Sequence, residues 1–255
     1  MQNKPRPNYK RRGIYLLPNA FTTAAMFAGF YAVVAAMSGF FEKASVAIFI
    51  AMILDGIDGR VARLTNSQSE FGAEYDSLSD MVSFGLAPAL VVYEWALHSL
   101  IDAGWYWGKL GWLAAFIYAA TAAMRLARFN TQIGVADKRY FQGLPSPSAA
   151  AVLAGMVWVC FDMGIKGEDV AIPAMIITVL TGLLMISNIL YYSFKEVNFR
   201  DRVPYFSLLI IILLLVLATI DTPKVLFGSF LIYVLSGPLF ALFRKLRKFS
   251  RRRTG

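Results

Sequence analysis

Long apolar runs separated by short polar segments fill most of the chain. A helix needs about 20 apolar residues to cross the hydrocarbon core of a membrane, and eight runs approach that length. The pattern predicts an all-α integral membrane protein with about eight transmembrane helices, over residues 18–38, 40–62, 75–97, 109–127, 146–162, 171–193, 205–220 and 224–243. Brief loops predict one domain over 18–243, flanked by basic tails at 1–17 and 244–255.

The composition supports a membrane protein of the helical class. Of 255 residues, 58% are hydrophobic and 16% are charged, and the mean hydropathy is +0.56. These values exclude a disordered chain and argue against a soluble globular domain. Apolar and polar residues alternate too weakly for a β-barrel. With one cysteine, Cys160, and one histidine, His98, the chain cannot form an internal disulfide or a zinc–thiolate cluster.

Basic residues concentrate on one side of the predicted bundle. That side holds 21 of the 25 lysines and arginines, and the other holds Lys43, Lys109, Lys166 and Lys224. The positive-inside rule predicts that the basic side, with both termini, faces the cytoplasm. Basic tails suit anionic lipid head groups, so the net charge of +9 gives no reason to expect a nucleic-acid partner. Residues 9–17 are predicted to lie in the membrane interface.

Four aspartates interrupt the apolar pattern at the cytoplasmic edge of the second and third predicted spans. Asp55 and Asp58 are three residues apart, and Asp76 and Asp80 are four apart. Either spacing places both carboxylates on one face of a helix. The polar stretch 65–70 predicts a turn between the two spans. Two adjacent antiparallel helices would then aim both pairs of carboxylates at one another.

Four carboxylates in one pocket need compensating positive charge. An acidic residue costs about 3 kcal/mol at the centre of a membrane helix, and repulsion between neighbours adds to that. Oxygen ligands suit Mg²⁺, Mn²⁺ or Ca²⁺, and a two-cation site can clamp a phosphate and stabilise its developing charge. Gly56, Gly59 and the small Ala62 allow a ligand or a backbone to approach closely. Arg63 offers donors for a phosphate or a carboxylate.

Two other interpretations fit part of this pattern. The acids could lie at a solvated helix end, with Arg60 and Arg63 as surface partners. They could also mark the ion path of an ion-coupled transporter, because acidic residues inside a membrane often do. A transporter predicts acids spread through the depth of several spans, whereas these acids cluster at one edge of two spans.

The aspartates belong to a longer pattern with fixed gaps, formed by Asp55, Gly56, Asp58, Gly59, Ala62, Arg63, Gly72, Asp76 and Asp80. This pattern closely resembles the signature of the CDP-alcohol phosphotransferase family, D-x-x-D-G-x-x-A-R-x8-G-x3-D-x3-D. The resemblance implies transfer of a phosphatidyl or related group from a CDP-linked donor to an alcohol. It also implies a six-helix core, two divalent cations per site, a homodimer and a bacterial inner-membrane location.

The resemblance implies a role for individual residues as well. Metal binding would fall to Asp55, Asp58, Asp76 and Asp80. Asp80 would also serve as the general base. The CDP part of the donor would contact Asn19, Thr22, Gly59, Ala62, Arg63 and Gly72, with Gly72 keeping the turn tight. Asn19 and Thr22 belong to "LPNAFT" at 17–22, which resembles the family's first core helix, and Ala25 stands where an asparagine is usual.

Three further stretches resemble the bacterial phosphatidylserine synthases of this family: "DSLSDMVSFGLAPA" at 76–89, "RLARFN" at 125–130 and "GLPSPSAA" at 143–150. This similarity implies that CDP-diacylglycerol is the donor and L-serine the acceptor, giving phosphatidylserine and CMP. A sister enzyme that uses glycerol 3-phosphate or inositol phosphate is the alternative.

Polar residues in two of these stretches suggest local roles. Arg125 and Arg128 share a helix face. They are predicted either to bind a lipid phosphate or an acceptor carboxylate, or to anchor the topology by snorkelling. Ser146 and Ser148 follow helix-stopping prolines and are predicted to cap the next span, with contact to the substrate as the alternative.

Overall fold

The computed structural model describes residues 16–65, 67, 69–131, 140–192, 216–217 and 219–253. Most of this part of the chain is helical, as the all-α prediction expected. Its α-helices are α1 (Leu16–Met37), α2 (Phe41–Leu64), α3 (Glu70–Asp80), α4 (Ala87–Trp95), α5 (Trp105–Thr131), α6 (Ser146–Asp162), α7 (Ala171–Ile186) and α8 (Thr222–Arg253). Most of the predicted span at 205–220, and the predicted interfacial segment up to residue 15, lie outside the described residues.

Four described helical segments are long and apolar enough to cross a membrane: Pro18–Met37, Trp105–Thr131, Gly167–Ile186 and Thr222–Arg244. Helix α6 has the bounds predicted for the fifth span, but it contains only 17 residues. Helix α2 covers the second predicted span and carries four charged residues between Asp55 and Arg63. By length and composition, the described helices therefore support four of the eight predicted spans.

The third predicted span begins earlier than expected and changes its helical type along its length. Helix α3 ends at Asp80, a π-helix covers Met81–Leu86, and α4 continues from there. Pro88 has no N–H to donate to the Phe84 carbonyl one turn before it. The buried Tyr118 hydroxyl of α5 donates to that carbonyl instead, over 3.1 Å. The irregular segment is thus stabilised by a neighbouring helix, directly after a predicted site residue.

Small residues allow the helices to pack closely. Helices α1 and α2 meet through almost fully buried alanines, among them Ala32, Ala35 and Ala44. Between the two helices, Gly39 adopts a φ of 78° in a sharp turn. Helix α6 is buried over Ser148–Val157 and packs against α2, α4, α7 and α8. The centre of the bundle is therefore a short helix that contacts mainly protein.

A two-stranded antiparallel sheet interrupts the helical architecture of the described chain. Strand β1 (Tyr140–Gln142) pairs with β2 (Leu190–Tyr192). Gly143 follows β1 with a φ of 83°, and a Cβ at this position would lie 2.1 Å from the Met185 carbonyl oxygen. Only glycine fits such a close approach. The sheet and this contact hold the segment before α6 against the end of α7.

Two local predictions near this sheet are wrong. The predicted span 171–193 ends early, because the backbone becomes extended at Ser187 and the chain then enters β2. The N-cap of α6 is Pro145, which has no capping side chain. Ser146 lies in the first turn of the helix and accepts a hydrogen bond from Arg125, and Ser148 is buried further along. Neither serine is therefore the cap.

Candidate active site

The predicted site residues gather at one end of the bundle. Helix α2 ends and α3 begins at this end, α1 and α6 start nearby, and α5 and α7 finish there. Ser69 caps α3, and its side chain accepts a hydrogen bond from the Gly72 backbone over 3.0 Å. Gly72 therefore lies in the first helical turn of α3 rather than in the preceding turn. This cap determines where α3 begins, and therefore how far along the bundle Asp76 and Asp80 lie.

Three carboxylates from two helices converge at this end of the bundle. Asp55 of α2 and Asp76 and Asp80 of α3 each offer an oxygen within 4.8 Å of the other two, and all three are partly buried. Two oxygens bound to one ion lie at most about 4.2 Å apart for Mg²⁺ and about 5 Å apart for Ca²⁺, so this spacing fits Ca²⁺ directly and Mg²⁺ after the carboxylates close slightly around it. The all-oxygen, anionic donor set therefore suits a hard divalent cation.

Asp58 has a different environment from the other three aspartates. It is 5% exposed, and the Thr22 hydroxyl of α1 donates to its Oδ2 over 2.8 Å. The same hydroxyl lies 3.1 Å from the Pro18 carbonyl oxygen. Thr22 itself is 4% exposed, so water has little access to this pair. Of the four predicted ligands, the structure thus brings three together and fixes Asp58 beside them against α1.

Most of the residues predicted to contact the nucleotide border an open face of α2, whereas Thr22 is buried against Asp58. A Cβ added at Gly56 or Gly59 would meet no described atom within 4 Å. Ala62 is partly buried, and Arg63 is exposed in the last turn of the helix. This face can therefore receive a ligand beside the carboxylates.

The start of α1 approaches the start of α3 at the edge of that face. A Cβ added at Gly72 would lie 3.6 Å from the Asn19 Oδ1 atom. Thr23 and Tyr75 join the same two helices through their hydroxyl groups, which are 2.9 Å apart. Asn19 and Gly72, predicted separately from two motifs, are therefore neighbours in the fold.

Deeper in the bundle, serine hydroxyls fasten the third-span segment to α1. Ser79 donates to the Thr22 carbonyl over 3.0 Å, and Ser83 donates to the Ala25 carbonyl over 3.1 Å. A Cβ at Gly29 would lie 2.7 Å from the Ser83 Cα atom, so the two backbones approach closely. Ala25 is buried at this contact. The helix that carries Asp76 and Asp80 is thereby held at a fixed depth.

A second set of contacts joins α3 to α5. Asn130 Nδ2 donates to Ser77 Oγ over 3.0 Å. Arg125 lies close enough to Asp80 for an electrostatic interaction, and its Nη1 donates to Ser146 Oγ over 2.6 Å. The Arg125 guanidinium thus lies between one of the converging carboxylates and the start of α6.

The two arginines that were predicted as a pair have different partners. Arg128 Nη2 donates to Asn188 Oδ1 over 2.9 Å, and its Nη1 donates to the Ile186 carbonyl over 3.4 Å. Gln142 Nε2 also donates to Asn188 Oδ1, over 3.0 Å. Arg128 therefore donates hydrogen bonds to acceptors at the end of α7, and Asn188 connects it to Gln142 of β1. Arg125 instead lies near the carboxylates.

Sequence reasoning missed the side chains that position this site. Ser77 and Asn130 lie inside two motifs that were noted for other residues, and Tyr118 lies in an apolar span. Ser77 and Asn130 bond to each other across 53 residues of sequence, and Tyr118 bonds to the Phe84 carbonyl, which is 34 residues away. The sequence does indicate that Ser77, Asp80 and Phe84 lie on one side of the segment, because they are spaced by three and four residues. This spacing does not identify the helix that they face.

Comparison with known proteins places these features in a family. A family model described as CDP-alcohol phosphatidyltransferase matches residues 15–190. Two Helicobacter pylori proteins named CDP-diacylglycerol–serine O-phosphatidyltransferase are 34% and 36% identical over 229 and 220 residues. The first alignment covers 90% of this chain and 93% of the relative, and the second covers 86% and 90%.

A Mycobacterium bovis protein with the same name is 39% identical over 172 residues, which are 64% of this chain and 56% of that protein. The family match includes the aspartate cluster, the open face of α2 and the α3–α5 contacts. Together with the four helices that are long and apolar enough to cross a membrane, these findings identify the chain as an integral membrane enzyme that belongs to the CDP-alcohol phosphatidyltransferase family.

Proposed function

We propose that this enzyme transfers the phosphatidyl group of CDP-diacylglycerol to the hydroxyl group of L-serine, giving phosphatidylserine and CMP. The observation that carries the proposal is the convergence of Asp55, Asp76 and Asp80 beside the open face of α2. The Helicobacter pylori relatives, whose names give this donor and acceptor, support the choice of substrates. The family assignment favours this reaction over an ion-coupled transporter.

The aspartates would hold divalent cations, Mg²⁺ or Mn²⁺, at the end of the bundle. Asp55, Asp76 and Asp80 supply one converging set of oxygens. Asp58 would complete the ligands for a second ion, held in its orientation by Thr22. When bound, such cations neutralise phosphate oxygens and stabilise the charge on the departing nucleotide.

The nucleotide part of the donor would lie over α2. Gly59 leaves space there, and Ala62 and Arg63 continue the same end of the helix. Asn19 and Gly72 border this space, where α1 and α3 begin. The lipid part of the donor would remain in the bilayer, since the neighbouring helix surfaces are apolar.

Asp80 would act as the general base. Its carboxylate accepts the proton of the serine hydroxyl, and the serine oxygen forms a bond to the phosphorus that carries diacylglycerol. The bond from that phosphorus to the CMP oxygen breaks, and CMP leaves with the bonding electrons. Arg125, beside Asp80, would face the acceptor carboxylate. Arg128, through Asn188 and the end of α7, would support this region.

The membrane arrangement is a further part of the proposal. We infer eight spans with a six-helix core, in which α2, the α3–α4 segment, α6 and the chain at 205–220 add to the four apolar segments. The distribution of lysine and arginine supports a cytoplasmic site and cytoplasmic termini in a bacterial inner membrane. The family resemblance supports a homodimer. Labelling of single cysteines from each side of the membrane would test the orientation.

The acceptor assay tests the reaction. Purified enzyme is incubated with CDP-diacylglycerol, Mg²⁺ or Mn²⁺, and L-serine, glycerol 3-phosphate or inositol phosphate, and CMP and lipid products are measured. We expect release of CMP only with L-serine, in a one-to-one ratio with phosphatidylserine. Turnover with glycerol 3-phosphate or inositol phosphate but not with serine would refute the proposed acceptor. Absence of CMP release with every acceptor would refute phosphatidyl transfer.

A further inference from the structure

Three interactions link α3 and its π-helical extension to α5, which runs antiparallel to them. From the converging end inward, a hydrogen bond joins Ser77 to Asn130, an electrostatic interaction joins Asp80 to Arg125, and a hydrogen bond joins Tyr118 to the Phe84 carbonyl. Asp80 therefore has the Ser77–Asn130 pair on one side, nearer the end of the bundle, and the Arg125 guanidinium on the other, deeper side. The polar pair is only partly buried, so a small molecule can reach it.

Serine carries three groups that such a row of contacts could recognise. Its hydroxyl must meet Asp80, and its ammonium and carboxylate groups are both bonded to the carbon atom next to the one that carries the hydroxyl. A carboxylate suits the Arg125 guanidinium. The ammonium group is repelled by Arg125 and needs oxygen acceptors elsewhere. The polar pair offers such acceptors, because the Asn130 carbonyl and the Ser77 hydroxyl each retain lone pairs beyond their mutual hydrogen bond.

The polar pair and the proposed base are neighbours along α3. Ser77 and Asp80 are three residues apart and therefore share a helix face. From α5, Asn130 donates a hydrogen bond to Ser77, and Arg125 interacts electrostatically with Asp80. An amino acid whose hydroxyl meets Asp80 can therefore reach the polar pair with its ammonium group.

We propose that Ser77 and Asn130 bind the ammonium group of the serine acceptor and so select an amino acid over an acceptor that lacks this group. The inference rests on the proposed function, since it takes Asp80 as the base that meets the acceptor hydroxyl. It adds two specificity residues that neither the motif nor the carboxylate geometry assigns.

A purely structural role, in which the pair only fastens α3 to α5, makes different predictions. Loss of a fastening contact would disturb Asp76 and Asp80 and would affect every substrate. Ser83 provides a matched control, because it fastens the same segment to α1 through a similar hydrogen bond and is fully buried. The Ser83→Ala variant reports what the loss of such a contact does by itself.

The test measures the KM for serine, the KM for CDP-diacylglycerol, and inhibition by 3-hydroxypropionate, which is serine without its ammonium group. We expect Asn130→Leu to raise the KM for serine about tenfold or more, the range for a lost hydrogen bond to a charged group. The KM for CDP-diacylglycerol and the inhibition constant of 3-hydroxypropionate should stay within about twofold. Asn130→Asp, which keeps an acceptor oxygen, should retain the wild-type KM for serine within about threefold.

The remaining variants keep the proposal testable if Asn130→Leu does not fold. Ser77→Ala should raise the KM for serine by about threefold or more, whereas Ser83→Ala should lower the unfolding midpoint and should not raise the KM for serine relative to the KM for CDP-diacylglycerol. The proposal is overturned if Asn130→Leu and Ser77→Ala leave the KM for serine unchanged, or raise it together with the other two constants. Wild-type enzyme that releases no CMP with serine would instead refute the proposed function itself.

Discussion

The hydrogen bond from Thr22 to Asp58 offers a sharp test of how α1 supports the site. Replacing Thr22 by valine keeps the shape of the side chain and removes the hydroxyl that lies 2.8 Å from Asp58 Oδ2. Thr22 and Asp58 are 4% and 5% exposed, so water cannot readily replace the lost donor. A hydrogen bond to a charged group contributes about 1.5–3 kcal/mol, and its loss would leave the carboxylate free to turn away from the cluster.

That energy sets the expected size of the effect. If the hydrogen bond acts mainly by holding Asp58 in its working orientation, Thr22→Val should slow CMP release by about 10- to 100-fold. Thr22→Ser keeps the hydroxyl and should retain activity within about threefold. Thr23→Val is the matched control, because Thr23 is exposed and its hydroxyl contacts Asn19 and Tyr75 instead. CMP release and the unfolding midpoint are measured for all three variants.

The reasoning is refuted if Thr22→Val retains wild-type activity, or if Thr23→Val loses as much activity as Thr22→Val does. The first result would mean that the orientation of Asp58 does not depend on α1. The second would mean that any change in this part of α1 disturbs the site, whatever the side chain contacts.

The remaining predictions concern the third-span segment, the sheet and the proposed base. Tyr118→Phe removes the hydroxyl that donates to the buried Phe84 carbonyl. We expect the free energy of unfolding to fall by about 1–3 kcal/mol, measured as a lower unfolding midpoint, and an unchanged midpoint would contradict the stabilising role given to the Tyr118 hydroxyl. Gly143→Ala should destabilise the protein strongly, because φ is 83° and the new Cβ would meet a carbonyl oxygen at 2.1 Å. Gly228→Ala, where a Cβ meets no described atom within 4 Å, should leave the unfolding midpoint unchanged or raise it, and equal effects of the two changes would refute the argument. Asp80→Asn should abolish serine-dependent CMP release but leave CMP binding measurable by calorimetry; full activity would disprove its role as base.

Local periodicity explains why much of the site could be predicted. The gaps of three and four residues between the aspartates place each pair on one helix face whatever the rest of the fold does. Helices α2 and α3 both pack against α1, and their side chains Asp55, Asp76 and Asp80 converge. The bounds of α6 were predicted for a similar reason, since a proline-rich segment precedes an uninterrupted apolar run.

Tertiary contacts explain what could not be predicted. Arg125 and Arg128 are equivalent by helical spacing, and only the packing of α3, α6 and α7 gives them different partners. Ser146 has the residue type of a helix cap, yet the hydrogen bond from Arg125 engages its side chain inside the first turn. The π-helix depends on Pro88 and on a hydroxyl donated by a distant helix, which no local pattern indicates.

Binding of Mn²⁺ to the purified protein, followed by electron paramagnetic resonance during titration, tests the central claim most directly. Wild-type protein should bind Mn²⁺ before any substrate is added. Asp55→Asn and Asp76→Asn should each weaken that binding at least about tenfold, whereas Asp162→Asn, on an exposed residue at the end of α6, should leave it unchanged. Equal Mn²⁺ affinity in all four proteins would contradict the account.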